Sequence, residues 1–121
     1  MTEGIYDLFE SVNTPHYTNA DGSQRIADRM DIHRFDHQPE LEGAKVVLFG
    51  VMDGRKSGDN EGCAGAPQNI RECLYRLSPH QHWGATVDLG DLRPGITEAD
   101  TAAAVQSISA ELMQMGIIPI V

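Results

Sequence analysis

The first continuous apolar run, Val46-Val47-Leu48-Phe49, is β-branched and aromatic, is too short for a helix, and is bracketed by Gly43 and Gly50. That pattern predicts a parallel strand buried on both faces. The apolar period then changes. Behind Pro67, which suits the first helical position, Ile70, Cys73, Leu74 and Leu77 recur at helical spacing. Strand, long polar loop and helix therefore follow one another from Lys45 to Leu77. Ala85 to Leu89 forms a second apolar run, and a right-handed crossover makes this strand parallel to the first. Pro94-Gly95 is a turn, and Thr97-Glu98-Ala99-Asp100 has the form of a capping box. It opens a long helix in which Val105, Ile108, Leu112 and Met115 share a face, with Gly116 as its stop. Ile117 to Val121 is a third strand, whose Pro119 lacks an N–H and points to an edge or a strand end.

Upstream of Lys45 the pattern is more polar. Ile5, Leu8, Phe9 and Val12 predict a short amphipathic helix that ends before Asn13-Thr14-Pro15 and packs on the outside of the sheet. Tyr17 to Gln24 spells a loop, Arg29-Met30-Asp31-Ile32-His33 alternates as a short strand, and Gln38-Pro39-Glu40 with Glu42-Gly43 makes a turn. The expected class is α/β, in one domain over residues 1–121. Residues 1–44 form an irregular or helical extension and residues 45–121 a βαβαβ unit, with no repeat or linker between.

Charge narrows the partners. A net charge of −9 without a basic cluster disfavours nucleic acid and anionic membrane surfaces, and allows a cationic substrate. Cys63 and Cys73 match neither a metal-binding pair nor a disulfide framework, and no apolar run has membrane-spanning length or the form of a signal peptide. A reducing cytoplasm is the expected location.

The loop from Gly50 to Gly65 is the main candidate for function. It carries Asp53, Arg55, Lys56, Asp59, Asn60 and Glu61 at the carboxyl end of a strand, where open α/β sheets bind ligands. It is longer than a strand-to-helix joint needs, which means either function or flexibility. It is not a phosphate loop, since Arg55-Lys56-Ser57-Gly58 has the wrong order. Asp88 and Asp91 end the second strand; such a pair can hold Mg²⁺ or Mn²⁺ or do acid–base work, but a structural role at the following turn is the expectation. His80-x-His82 lacks a third ligand and reads as a solvated turn, and His16, His33 and His37 have no recognisable partners. Cys73 shares the apolar helix face and is expected in the core, whereas Cys63 is a loop thiol without an evident base.

Gly50-Val51, Asp53, Glu61-Gly62 and Gly65-Ala66-Pro67-x-x-Ile70-Arg71-x-x-Leu74-Tyr75-x-Leu77 together resemble the first βα unit of the ureohydrolases, the arginase, agmatinase and formimidoylglutamase enzymes. Asp88-Leu89-Gly90-Asp91 and Met115 to Val121 resemble that family's second and third strands, and Asn60-Glu61-Gly62-Cys63 looks nearest to the formimidoylglutamase branch. The resemblance implies a three-layer arginase-like fold: a partial parallel sheet in strand order 2-1-3 with helices on both faces. It also implies hydrolysis of a C–N bond in a small guanidino or formimino substrate by a two-manganese mechanism, with Asp53, Arg55, Asn60 and Glu61 near the substrate, and a homo-oligomer. Asp88 and Asp91 are not metal ligands in that family. Its ligand motifs, Gly-Gly-x-His, Asp-x-His-x-Asp and Asp-x-Asp, do not occur, and the first would follow Val121 directly. The expectation is an N-terminal fragment that binds no metal and is inactive alone, its parent being the hydrolase. The alternative is a non-catalytic α/β module that binds a ligand or partner through the Gly50–Gly65 loop.

Overall fold

A computed structural model describes residues 4–15, 21–54 and 65–121. Their elements in chain order are β1 (Phe9–Glu10), β2 (Met30–Ile32), β3 (Val46–Val51), α1 (Ala66–Leu74), β4 (Thr86–Leu92), α2 (Glu98–Gln114) and β5 (Ile118–Ile120). The five strands make one open, mixed sheet in the order β1-β4-β3-β5, with β2 also on β4. β3 lies parallel to β4 on one side and to β5 on the other, so the expected order of the three main strands is that of β4, β3 and β5. The sheet is mixed rather than parallel because β1 runs antiparallel to the end of β4.

β4 is the centre of the sheet. Its far edge is shared by two short strands: β2 pairs in parallel along Thr86 to Asp88, and β1 pairs with Asp91 and Leu92. The amphipathic helix predicted over Ile5 to Val12 is instead a single 3-10 turn, Ile5–Leu8, that runs into β1. Pairing explains the difference, since a second helical turn would leave this stretch of the β4 edge without backbone partners. Ile5 and Phe9 still reach the core. The short strand expected around Met30 to Ile32 is present as β2.

Side chains alternate across the sheet. Val47, Phe49, Val87 and Leu89 bury together with Ile108 and Leu112 of α2, Ile117, and Ile5, Phe9 and Leu41 from the amino-terminal segment. Leu48, Gly50 and Asp88 face the other way, towards α1. The ends of α2 follow local rules. Thr97 caps it, accepting from the Asp100 N–H at 3.1 Å, while the Asp100 carboxylate accepts from the Thr97 N–H at 3.0 Å. At the other end Gly116 takes φ +78°, Gly116 N–H reaches the Met113 carbonyl and Ile117 N–H the Leu112 carbonyl, both at 3.0 Å. This Schellman closure drives Ile117 back onto Leu112 in the core. Met115, expected on the apolar face, caps the helix and stays exposed.

Candidate functional site

Most of the expected inward face of α1 is turned out. Ile70 and Leu77 are 63% and 55% exposed and Cys73 is exposed, Leu74 alone of that face is half-buried, and Arg71 and Tyr75 are buried. The cause lies in β4. Leu48 pairs with Asp88 and Gly50 with Asp91, so that Phe49 of β3 stands opposite two residues of β4, Leu89 and Gly90. This bulge changes the alternation by one, and Asp88 and Asp91 both project towards α1. Two carboxylates beneath a helix require a cation, because an unpaired buried charge costs several kcal/mol, about as much as burying two apolar side chains returns. Arg71 therefore wins the inward position from Ile70.

The resulting network is tight. Arg71 Nε donates to Asp88 Oδ2 at 2.7 Å and Nη2 to Asp88 Oδ1 at 3.1 Å, while Nη2 also lies 3.0 Å from Asp91 Oδ1. Tyr75 donates to Asp88 Oδ2 at 2.6 Å, and Gly90 N–H to Oδ1 at 3.0 Å. Burial opposes the Arg71 charge, but the hydrogen bonds and charges of Asp88 and then Asp91 outweigh it and hold the guanidinium above its ordinary pKa. Burial first, then the Asp88 charge and hydrogen bond, push the Tyr75 hydroxyl up as well. Asp88 and Asp91 are thus anchors of α1, in keeping with a structural role, although they do more than cap a turn.

Over this network opens a mainly apolar cleft of about 340 Å³ between α1, β3 and β5. Leu48, Ile70, Leu74, Ile120 and Val121 form its walls, and Arg71 with Asp88 its polar floor. Gly50 permits the close approach: a Cβ there would sit 2.3 Å from Asp91 Oδ1 and 2.4 Å from Pro67 Cβ. The cleft lies at the root of the Gly50–Gly65 loop, on the carboxyl side of β3.

Of the predicted loop residues, Asp53 is half-buried and its Oδ2 accepts from the Thr101 hydroxyl at 2.7 Å, while that hydroxyl accepts from the Gly95 N–H at 2.8 Å. The start of the loop is thereby pinned to the first turn of α2. Arg55, Asn60 and Glu61 lie outside the described residues, as do Cys63 and His16. Arg71, Tyr75 and Thr101 were missed as site residues. Their signal was present for Arg71 and Tyr75: two aspartates in a strand buried on both faces demand a cation from the covering helix.

His33 and His37 do have partners. His33 Nδ1 lies 2.8 Å from the Leu89 carbonyl and His37 Nε2 2.6 Å from Asp31 Oδ1. His80 and His82 are exposed with ring centroids 5.3 Å apart, as a solvated turn requires. Among the described residues no three His, Cys, Asp or Glu side chains are grouped to hold a metal ion, and no helix is long and apolar enough to cross a membrane. Comparison with family models, curated proteins and solved structures finds no match for the chain.

Proposed function

We propose that the chain is the amino-terminal α/β part of an arginase-family hydrolase. Its complete, cytoplasmic parent cleaves a C–N bond in a small guanidino or formimino substrate with paired manganese, and this part alone is inactive and self-associates. One observation carries the reading: Thr101 holds Asp53, and with it the root of the Gly50–Gly65 loop, at the carboxyl end of β3. Support comes also from the order β4-β3-β5 and from α1 and α2 covering opposite sides of the sheet, as a three-layer arginase-like arrangement needs.

In this reading Arg55, Asn60 and Glu61 meet the substrate and Asp53 positions their loop. The Arg71–Asp88 pair fixes α1, the helix into which that loop runs. The described residues do not build a manganese site, and no hydrolytic step is assigned to them. Assay of the parent gene product tests the proposal. Manganese-dependent release of urea from arginine or agmatine, or of formamide from formiminoglutamate, is expected; no turnover of any of the three, or turnover untouched by chelation, overturns it.

The apolar cleft beside β5 favours a second reading, a non-catalytic module that binds a ligand at the loop root. A native reading frame that continues into a Gly-Gly-x-His segment decides for the enzyme, and one that lacks such a segment for the module.

A further inference from the structure

A separate cavity of about 390 Å³ lies on the far side of β4 from the cleft, lined by Tyr6, Phe9, Ser11, His33, Phe35 and Arg93 among others. It opens where β2 and β4 end. His33 directly follows β2, and Arg93 directly follows β4.

His33 has a structural duty that explains only half of its ring. Between the stretch of β4 covered by β2 and the stretch covered by β1, Leu89 and Gly90 have no paired residue on that edge. His33 fills that gap. Its backbone is fixed, its N–H on the Asp88 carbonyl at 2.9 Å and its C=O accepting from Val12 N–H at 2.8 Å. Its ring Nδ1 meets the Leu89 carbonyl, and a carbonyl can only accept, so Nδ1 carries the proton. In the neutral ring Nε2 is then a bare acceptor, directed away from the sheet. The residue is only 8% exposed, the Tyr6 ring packs edge-on against it at 5.7 Å, and among the described residues Nε2 takes no hydrogen bond. His33 lines the cavity, so Nε2 is an open acceptor for a donor on whatever occupies it.

The other groups define that occupant further. Tyr6 is committed, its hydroxyl donating to the Pro39 carbonyl. Arg93 uses Nη1 on the Asp7 carbonyl at 2.6 Å, and its remaining guanidinium donors suit a planar carboxylate. Phe35, at the rim, is 92% exposed, a large apolar ring left beside a polar opening.

We propose that this cavity binds a small carboxylic acid bearing an adjacent hydroxyl or amino group, its carboxylate on Arg93 and its O–H or N–H donor on His33 Nε2. The site is independent of the hydrolase reading, since it uses no residue of the Gly50–Gly65 loop or the α1 network.

Titration of the 121-residue chain with glycolate, glycine and acetate, followed by the imidazole ¹⁵N resonances of His33, tests it. Glycolate or glycine is expected to give a saturable change at Nε2 with Nδ1 unmoved, and acetate, lacking the donor, to bind about tenfold more weakly or not at all. Glycine tighter than glycolate identifies an amino acid, and the reverse a hydroxy acid. Arg93→Gln, an exposed position, should weaken binding at least about tenfold without lowering the melting temperature. His33→Asn keeps a donor near the Leu89 carbonyl and removes Nε2; its loss of glycolate preference over acetate is the second check, and Arg93→Gln alone decides the matter if that variant does not fold. Acetate binding as tightly as glycolate and glycine, binding indifferent to Arg93→Gln, or no saturable change with any probe overturns the proposal.

Discussion

Arg71 grips both oxygens of the Asp88 carboxylate, Nε at 2.7 Å from Oδ2 and Nη2 at 3.1 Å from Oδ1, and so ties α1 to the central strand of the sheet. Both side chains are almost wholly removed from solvent. Removing one partner of such a pair leaves the other charged and buried, at a cost of about 3–5 kcal/mol. Arg71→Ala should therefore lower unfolding stability by that amount in urea titration. Arg71→Lys should recover only part, because an ammonium cannot make the two-pronged contact. Equal midpoints for wild type and Arg71→Ala would show that α1 is held by apolar contacts instead.

The bulge that aligns Asp88 with Asp91 depends on Gly90, at φ +94°, where a Cβ would stand 2.1 Å from the Glu10 carbonyl oxygen. Gly90→Ala combines backbone strain with a clash against β1 and should cost about 3 kcal/mol or more. Gly116→Ala is the control. It shares the positive φ but would meet nothing within 4 Å, so a loss of about 1 kcal/mol is expected. Amide exchange should also show Glu10 and Asp91 released in Gly90→Ala alone. Similar losses in the two variants would mean that strain, not the fit of β1, sets the requirement.

β5 leaves one edge of the sheet open, with Ile118 62% and Val121 63% exposed beside it. An apolar edge of this kind invites pairing with another chain, and Pro119 weakens the invitation by one donor. The charge of −9 resists approach, though salt screens it beyond about 8 Å. Sedimentation should show concentration-dependent association that Ile118→Lys abolishes. A monomer at high concentration, or an oligomer unaffected by the substitution, excludes this edge as the contact.

The main strands and α2 were legible because each obeys a local rule: the run Val46 to Phe49, the box at Thr97, the glycine at 116. Their order around β3 came from the family resemblance and not from periodicity. The elements that differ are those settled by a distant partner. Ile5 to Val12 has helical spacing, but the edge of β4 takes it as a strand. Ile70 and Leu77 have the spacing of a core face, but two carboxylates from a strand thirteen or more residues away turn Arg71 and Tyr75 inward. Asp88 and Asp91 were visible as a pair, yet their shared direction depends on a bulge that spacing alone does not reveal. His33 has no recognisable partner in the sequence because that partner is a backbone carbonyl, which leaves no trace in side-chain pattern.

Alkaline pH should act on the same network through Tyr75. Its pKa is raised above the ordinary 10.0 by burial first, then by the Asp88 charge and the hydrogen bond to it. A group whose folded pKa exceeds its unfolded value binds its proton more tightly when folded. Its contribution is thus complete below about pH 10 and is lost as pH rises from there towards the folded value. Arg71 remains charged across this range, since its own pKa is also raised, so the guanidinium is not what fails. Tyr6 acts in the same direction, raised by burial and then by Glu40 and Asp31, but its burial is less complete. Urea midpoints measured from pH 8 to 11.5 should fall above about pH 10, by up to about 1.4 kcal/mol per pH unit for one group. Tyr75→Phe should start lower by about 1.5–3 kcal/mol, the value of a hydrogen bond to a charged acceptor, and then fall less steeply, keeping the Tyr6 part. Parallel curves for the two proteins would place the alkaline loss elsewhere than at the Tyr75–Asp88 contact.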